Sequence, residues 1–212
     1  MRRMAGTAKA LMHAVRLIKD PTRLDEVFGI IDSVSRPDIV LDVARKGAET
    51  PEGARAIRDW PRVDIDLPAL VKLPPGTLGR EFADHMRRNN LDPADIPVKP
   101  VTSELEFVEA HLRETHDILH VVTGFNTDVP GELGLQAFYL AQLPVRLPVI
   151  LIGGGMFRLM FYEFSLHERI MDSITQGWTL GRQARPFFGL PWNDLWDKPL
   201  SEVRARLNIA QA

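Results

Sequence analysis

The sequence predicts an all-α fold: a single-domain, irregular helical bundle over residues 1–212, with a helix hairpin that carries a candidate metal site. Three observations predict it. Apolar residues repeat at intervals of three and four, period-two alternation bounded by turn residues is nearly absent, and sixteen prolines divide the chain into helix-length segments. The apolar fraction of 45% is ample for a core at this length.

Helices are predicted over residues 4–19, 22–34, 36–47, 51–58, 76–90, 103–123, 131–143, 147–174, 175–184 and 199–207. The opening stretch, "MRRMAGTAKALMHAVRLIK", contains no acid and spaces Leu11, Val15 and Ile18 at helical intervals, as a transit peptide would. It has a single hydroxyl residue, Thr7, and flows into a second helix pattern after Pro21, so it reads as a basic first helix of the fold. Residues 59–79 read as an extended connection, because prolines recur too often for a useful helix. The next helix starts near Gly76 or Thr77 and stops near Asn89 and Asn90, residues that accept left-handed backbone angles.

At Ser103-Glu104-Leu105-Glu106 a capping box is expected, with the Ser103 hydroxyl accepting from the Glu106 amide and the Glu106 carboxylate reaching back to Ser103. From there Leu105, Val108, Leu112, Leu119 and Val122 make one apolar stripe, interrupted at Thr115 and His116. His116 is therefore expected at the edge of the core. Gly124 stops the helix, and the seven-residue connector "FNTDVPG" is short enough to favour an antiparallel hairpin with the helix that follows. The longest apolar segment, "LPVILIGGGMF", has eleven residues, against the roughly 20 that a membrane-spanning helix needs. Its glycines, Gly153 to Gly155, mark where the long helix would break, or where another helix or a prenyl chain could approach the backbone.

Composition narrows the chemistry. A net charge of −2 with acids and bases intermixed gives no basic face for a nucleic acid. The absence of cysteine excludes disulfides and thiolate-held clusters, so any metal must be held by nitrogen and oxygen.

One stretch concentrates such ligands: "HDILHVVTGFNTDVPGE", residues 116–132. At about 100° per residue, His120 lies roughly 40° from His116, and Asp117 roughly 60° beyond His120. The three share a helix flank. Two imidazoles four residues apart can serve one ion, and Asp117 can join them or orient a ring. Glu132, on the first turn of the returning helix, could complete an N2O2 set. Spacing alone is equally compatible with the polar flank of an ordinary hairpin.

Other candidates are weaker. Glu163 and His167 read as a salt-bridged helix face, Arg182 and Arg185 as solvated arginines, and His13, His85 and His111 as surface or packing residues. A phosphohydrolase of the HD type also uses adjacent His-Asp, but would need His85 with Asp172 or Asp194 as forced partners. Neither an HExxH nor a pair of Glu-x-x-His motifs is present.

The motif His116-Asp117-x-x-His120, followed after eleven residues by Glu132, resembles the hallmark of the coenzyme Q (ubiquinone) biosynthesis protein 4 family. The likeness extends through "LPPGTLGREFADHM", "RETHD", "LAQLPVRLPVILIGG", "GRQARP" and "LWDKPLSEVRARLNI", about residues 50 to 208. It implies a helical protein in which His116, Asp117, His120 and Glu132 bind a divalent metal, zinc first, with iron or manganese also fitting the donors. It further implies oxidative decarboxylation at ring carbon 1 of a polyprenylated hydroxybenzoate-type precursor, with Asp117 the candidate base. The other reading is a noncatalytic prenyl-lipid-binding scaffold.

Implied partners are the isoprenoid substrate, other quinone biosynthesis enzymes and a membrane surface contacted peripherally; a homodimer fits as well. That surface is the inner face of the cytoplasmic membrane for a prokaryotic protein, or the matrix side of the mitochondrial inner membrane for a eukaryotic one. There are departures: where the resemblance leads one to expect Lys, Phe or Trp, and Glu, the chain has Gln136, Phe138 and Tyr139, so a basic and an acidic side chain are lost, and the late Trp-Glu pair is Trp196-Asp197.

Overall fold

A computed structural model describes His13, Arg16, Glu26, Gly29, Ile30 and residues 37–93 and 100–209. The helices expected over 4–19 and 22–34 lie almost wholly outside the described residues. Ten α-helices are bounded among the described residues: α1 (Pro37–Gly47), α2 (Pro51–Asp59), α3 (Leu67–Leu70), α4 (Leu78–Arg88), α5 (Glu104–Glu114), α6 (His116–Thr123), α7 (Val129–Gln142), α8 (Leu147–Phe161), α9 (His167–Gln183) and α10 (Leu200–Arg206). Short 3-10 turns occupy Phe164–Leu166 and Trp192–Asp194. No strand is present among the described residues, and the class is all-α as predicted.

Helix starts follow local chemistry. Thr50, Asp66, Thr77, Ser103 and Asp128 each accept an amide three residues on, satisfying a donor the helix leaves unpaired. Prolines in the first turns of α2, α3, α7 and α8 sit where a missing N–H costs nothing. The capping box is displaced by one residue: Ser103 accepts from the Glu106 amide at 3.3 Å, but the Glu106 carboxylate accepts at 2.7 Å from the amide and from the hydroxyl of Thr102. These bonds hold the Glu106 carboxyl below the usual range.

Three boundaries differ from expectation. The 59–79 connection contains the short α3, started by Asp66 and Pro68. The helix expected over 103–123 is two, separated at Thr115. The long apolar helix passes through the glycines and stops at Tyr162; α9 then runs unbroken across the boundary expected at 174. Propensity favoured a break at glycine, but Gly155 packs against Leu133, where an added Cβ would lie 2.5 Å from a Leu133 methyl, while Gly153 faces open space.

The chain forms two compact units: Met1–Asp42 with Asp128–Arg182, and Val43–Thr127 with Gln183–Ala212. In the first, Leu133, Leu159 and Ile170 form a cluster covered by Val129, Ile152, Leu166 and Ile174. α7 and α9 cross in close contact, because Gly177 faces the Gly134 carbonyl directly; a Cβ there would lie 1.9 Å from that oxygen.

In the second unit, Leu78, Phe82, Met86, Phe107, Ile118, Leu119, Phe187, Phe188 and Trp192 are fully buried. The segment before α10 is tied to the start of α4 by backbone bonds from Leu78 to Lys198 (2.8 Å), Gly79 to Trp196 (2.9 Å) and Leu200 to Gly76 (2.8 Å). The extended residues after α2 are pinned by Arg62, whose guanidinium donates to Glu114 at the end of α5, and by the Asn193 side chain, which accepts from Asp64 N–H and donates to the Arg62 carbonyl. These ties hold α4, which carries His85, and α5, which carries His111, to the segment before α10.

Candidate metal centre

The two helices of the motif part at Thr115 for a local reason. Its buried hydroxyl donates to the His111 carbonyl at 2.7 Å, the oxygen that also accepts the Thr115 amide at 3.1 Å. Such back-bonding perturbs a helix at that turn. α6 therefore begins afresh at His116, with Asp117 in its first turn, where the unpaired amides and the helix dipole favour a carboxylate. Gly124, at φ 86°, terminates α6 with a backbone angle that a residue with a Cβ rarely adopts.

One turn after His116, His120 is buried at 1% exposure, while His116 and Asp117 are half-buried. The ring turned fully into the core is thus His120, and His116 occupies the core edge. Ligand atoms of His116, Asp117 and His120 all lie within 4.8 Å of one another. His120 Nδ1 is 2.9 Å from the Phe125 carbonyl, which can only accept, so the proton sits on Nδ1 and the lone pair on Nε2. That Nε2 is 3.3 Å from His116 Nε2, with the rings nearly perpendicular at 87°. Two imidazole nitrogens and a carboxylate converge, with one imidazole locked in the tautomer that a metal requires.

The remaining sequence candidates are placed as follows. Glu132 stands in the first turn of α7, in the first compact unit. Gln136 and Tyr139, the departures from the family pattern, are buried in α7 together with Phe138. Glu163 and His167 do not share a helix face: Glu163 pairs with Arg158 at 2.7 Å, which holds its carboxyl below the usual range, and His167 Nδ1 donates to the Phe164 carbonyl at 2.9 Å. Arg182 and Arg185 are exposed.

Sequence reasoning missed the surroundings of the histidines. His85, expected as a surface or packing residue, is buried with its ring stacked on that of His120, centroids 5.7 Å apart and planes 21° from parallel. Its spacing from Leu78 and Phe82 placed it on the buried stripe of α4, a signal that was available. Arg204 of α10 donates from Nε to the Val122 carbonyl at 2.8 Å and from a terminal nitrogen to the Val121 carbonyl at 3.1 Å, capping the end of α6. Nothing in the local sequence points to it.

The sequence profile described as "Coenzyme Q (ubiquinone) biosynthesis protein Coq4" matches residues 3–212. The chain is 29% identical over 209 residues to the mitochondrial ubiquinone biosynthesis protein COQ4 homolog of Danio rerio, covering 95% of this chain and 75% of that one. It is 28% identical over 210 residues to mitochondrial ubiquinone biosynthesis protein COQ4 of Podospora anserina, covering 96% and 68%. A crystal structure from Nostoc punctiforme, provisionally assigned to ubiquinone biosynthesis, superposes with a TM-score of 0.82 at 30% identity over 97% of this chain and 99% of that one. With a match along nearly its whole length and a shared helical fold, the chain belongs to the coenzyme Q (ubiquinone) biosynthesis protein Coq4 family.

Proposed function

We propose that the chain is a metal-dependent enzyme that replaces the carboxylate on ring carbon 1 of a polyprenylated hydroxybenzoate-type precursor with a hydroxyl. The pathway follows from the family. The observation that carries the metal reading is the approach of His116 and His120 through Nε2 atoms 3.3 Å apart, while the Phe125 carbonyl occupies the far nitrogen of His120. His116, Asp117 and His120 would hold the ion, and Glu132 is the fourth ligand that the family resemblance implies from the motif's eleven-residue spacing. This donor chemistry suits zinc, which the resemblance favours, and also iron and manganese.

When bound, a divalent ion supplies Lewis acidity toward the substrate carboxylate or a neighbouring phenol oxygen. Asp117, half-buried at the start of α6, is the base suited to take the phenolic proton. The net change breaks the bond from ring carbon to carboxylate, releasing carbon dioxide, and forms a carbon–oxygen bond to a water oxygen; the two electrons lost by the ring and two protons reduce dioxygen, the oxidant, to hydrogen peroxide.

A peripheral membrane contact is part of the same reading, since the substrate carries a prenyl chain. It is supported by the exposure of Phe157, Met160, Phe161, Tyr162 and Phe164 at 57–68%, a run of large apolar side chains from the end of α8 into the following turn. No helix among the described residues is long and apolar enough to cross a membrane. That same surface also favours the second reading, a noncatalytic scaffold that presents prenylated intermediates to other quinone enzymes.

Aerobic incubation of the metal-loaded protein with a prenylated hydroxybenzoate labelled at the carboxylate separates the two. Labelled carbon dioxide is expected from the wild type and is expected to be lost in His116→Ala and Glu132→Ala. Lipid binding by a wild type that releases no carbon dioxide would overturn the enzyme in favour of the scaffold.

A further inference from the structure

We infer that Thr127, Asn89 and His85 form a positioning clamp that holds the ring of His120 in its Nδ1–H tautomer; their value to an ion rests on the metal reading above. The clamp is a closed circuit within one compact unit. The Thr127 hydroxyl donates to the Asn89 side-chain oxygen at 2.9 Å, which fixes the loop between α6 and α7 against the end of α4. With its oxygen so engaged, the Asn89 amide nitrogen points the other way, donating to the His85 carbonyl at 2.9 Å and approaching His85 Nδ1 at 3.4 Å. The His85 ring then lies flat against His120. The circuit closes through the loop itself, because Phe125, two residues before Thr127, supplies the carbonyl that accepts from His120 Nδ1.

Each link restrains a different freedom. Stacking against His85 limits rotation of the His120 ring. The Thr127–Asn89 bond keeps the Phe125 carbonyl from leaving Nδ1. Without that acceptor nothing in the clamp prefers Nδ1–H, and the proton can pass to Nε2, which removes the lone pair directed at His116. Thr127, Asn89 and His85 are positioning residues: they act through His120.

The test reads the tautomer directly. Long-range proton–nitrogen correlation spectra of metal-free protein labelled with ¹⁵N-histidine distinguish protonated from unprotonated ring nitrogens, and the His120 signals are identified by their loss in His120→Gln. His120 is expected to be protonated at Nδ1 in the wild type and to become a mixture of tautomers in Thr127→Val and Asn89→Ala, with Thr127→Ser restoring the wild-type pattern. Cobalt(II) titrations of the same proteins are expected to show affinity about 10-fold weaker in Thr127→Val and Asn89→Ala, and weakened in His85→Ala more than in His85→Phe, which keeps a stacked ring.

A fixed Nδ1–H tautomer in both Thr127→Val and Asn89→Ala, or cobalt affinities within two-fold of the wild type, would overturn the clamp. A wild type that binds no cobalt at all would instead overturn the metal reading, and the tautomer spectra would still decide the clamp.

Discussion

Lowering the pH from 7 to 5 is expected to cost the folded protein about 2 kcal/mol through His111 alone. The ring is 2% exposed, packed edge-on against Phe188 at 4.9 Å and tilted against Phe107 at 5.4 Å. Its Nε2 accepts the Gly189 amide at 3.2 Å, which places the proton on Nδ1, an atom with no partner among the described residues. Burial pushes the imidazole down from an ordinary 6.5 to about 4, since a charge there would be stripped of water and a second ring proton would displace the Gly189 bond.

The unfolded chain therefore binds the proton first as pH falls. The stabilisation is complete above pH 6.5, declines between 6.5 and about 4, and is fully lost below. At about 1.4 kcal/mol per tenfold in proton affinity, the full loss is about 3 kcal/mol. Urea denaturation at pH 7, 6, 5 and 4.5 measures it, with His111→Gln as the reference: its side-chain oxygen can still accept from Gly189 but does not titrate. Carboxylates that titrate in the same range contribute equally to both proteins and cancel in the difference. A wild-type minus variant stability that stays constant across the series would refute the assignment.

Four further substitutions probe the ties that hold each unit. Gly177→Ala would set a methyl 1.9 Å from the Gly134 oxygen and is expected to destabilise by about 3 kcal/mol in guanidinium unfolding, whereas Gly153→Ala, facing open space inside α8, should be neutral or stabilise by up to about 1 kcal/mol; equal effects would count against the close crossing. Arg204→Met keeps the apolar stem but removes both donors to the end of α6, for an expected loss of about 2 kcal/mol; Arg204→Lys should recover only part of it, since one ammonium does not match the two-carbonyl geometry, and full recovery would show the cap to be a simple charge effect.

The candidate metal motif was legible because it is local. Residues four apart on a helix share a flank whatever the helix packs against, so His116, Asp117 and His120 could be grouped from their spacing, and burial then placed His120 in the core and His116 at its edge. The cap at Ser103 and the stop at Gly124 were legible for the same reason. Breaks were harder to see. Thr115 divides α5 from α6 through a bond to its own preceding turn, a choice that depends on the hydroxyl being buried, and α8 continues through its three glycines, with Leu133 packed where a side chain on Gly155 would have been.

By itself, then, the sequence determined the all-α class, the positions of most helices, the grouping of the candidate nitrogen and oxygen donors and, through its motif, the family. Only the tertiary structure decided what surrounds the ligands: His85 stacked on His120, Asn89 and Thr127 joined across the end of α4, Arg204 at the end of α6, and Gly177 against Gly134. Helix periodicity is carried by short-range backbone geometry and is written in neighbouring residues. Contacts between residues tens of positions apart arise only when whole elements pack, and the sequence on either side does not record which side chain will be opposite.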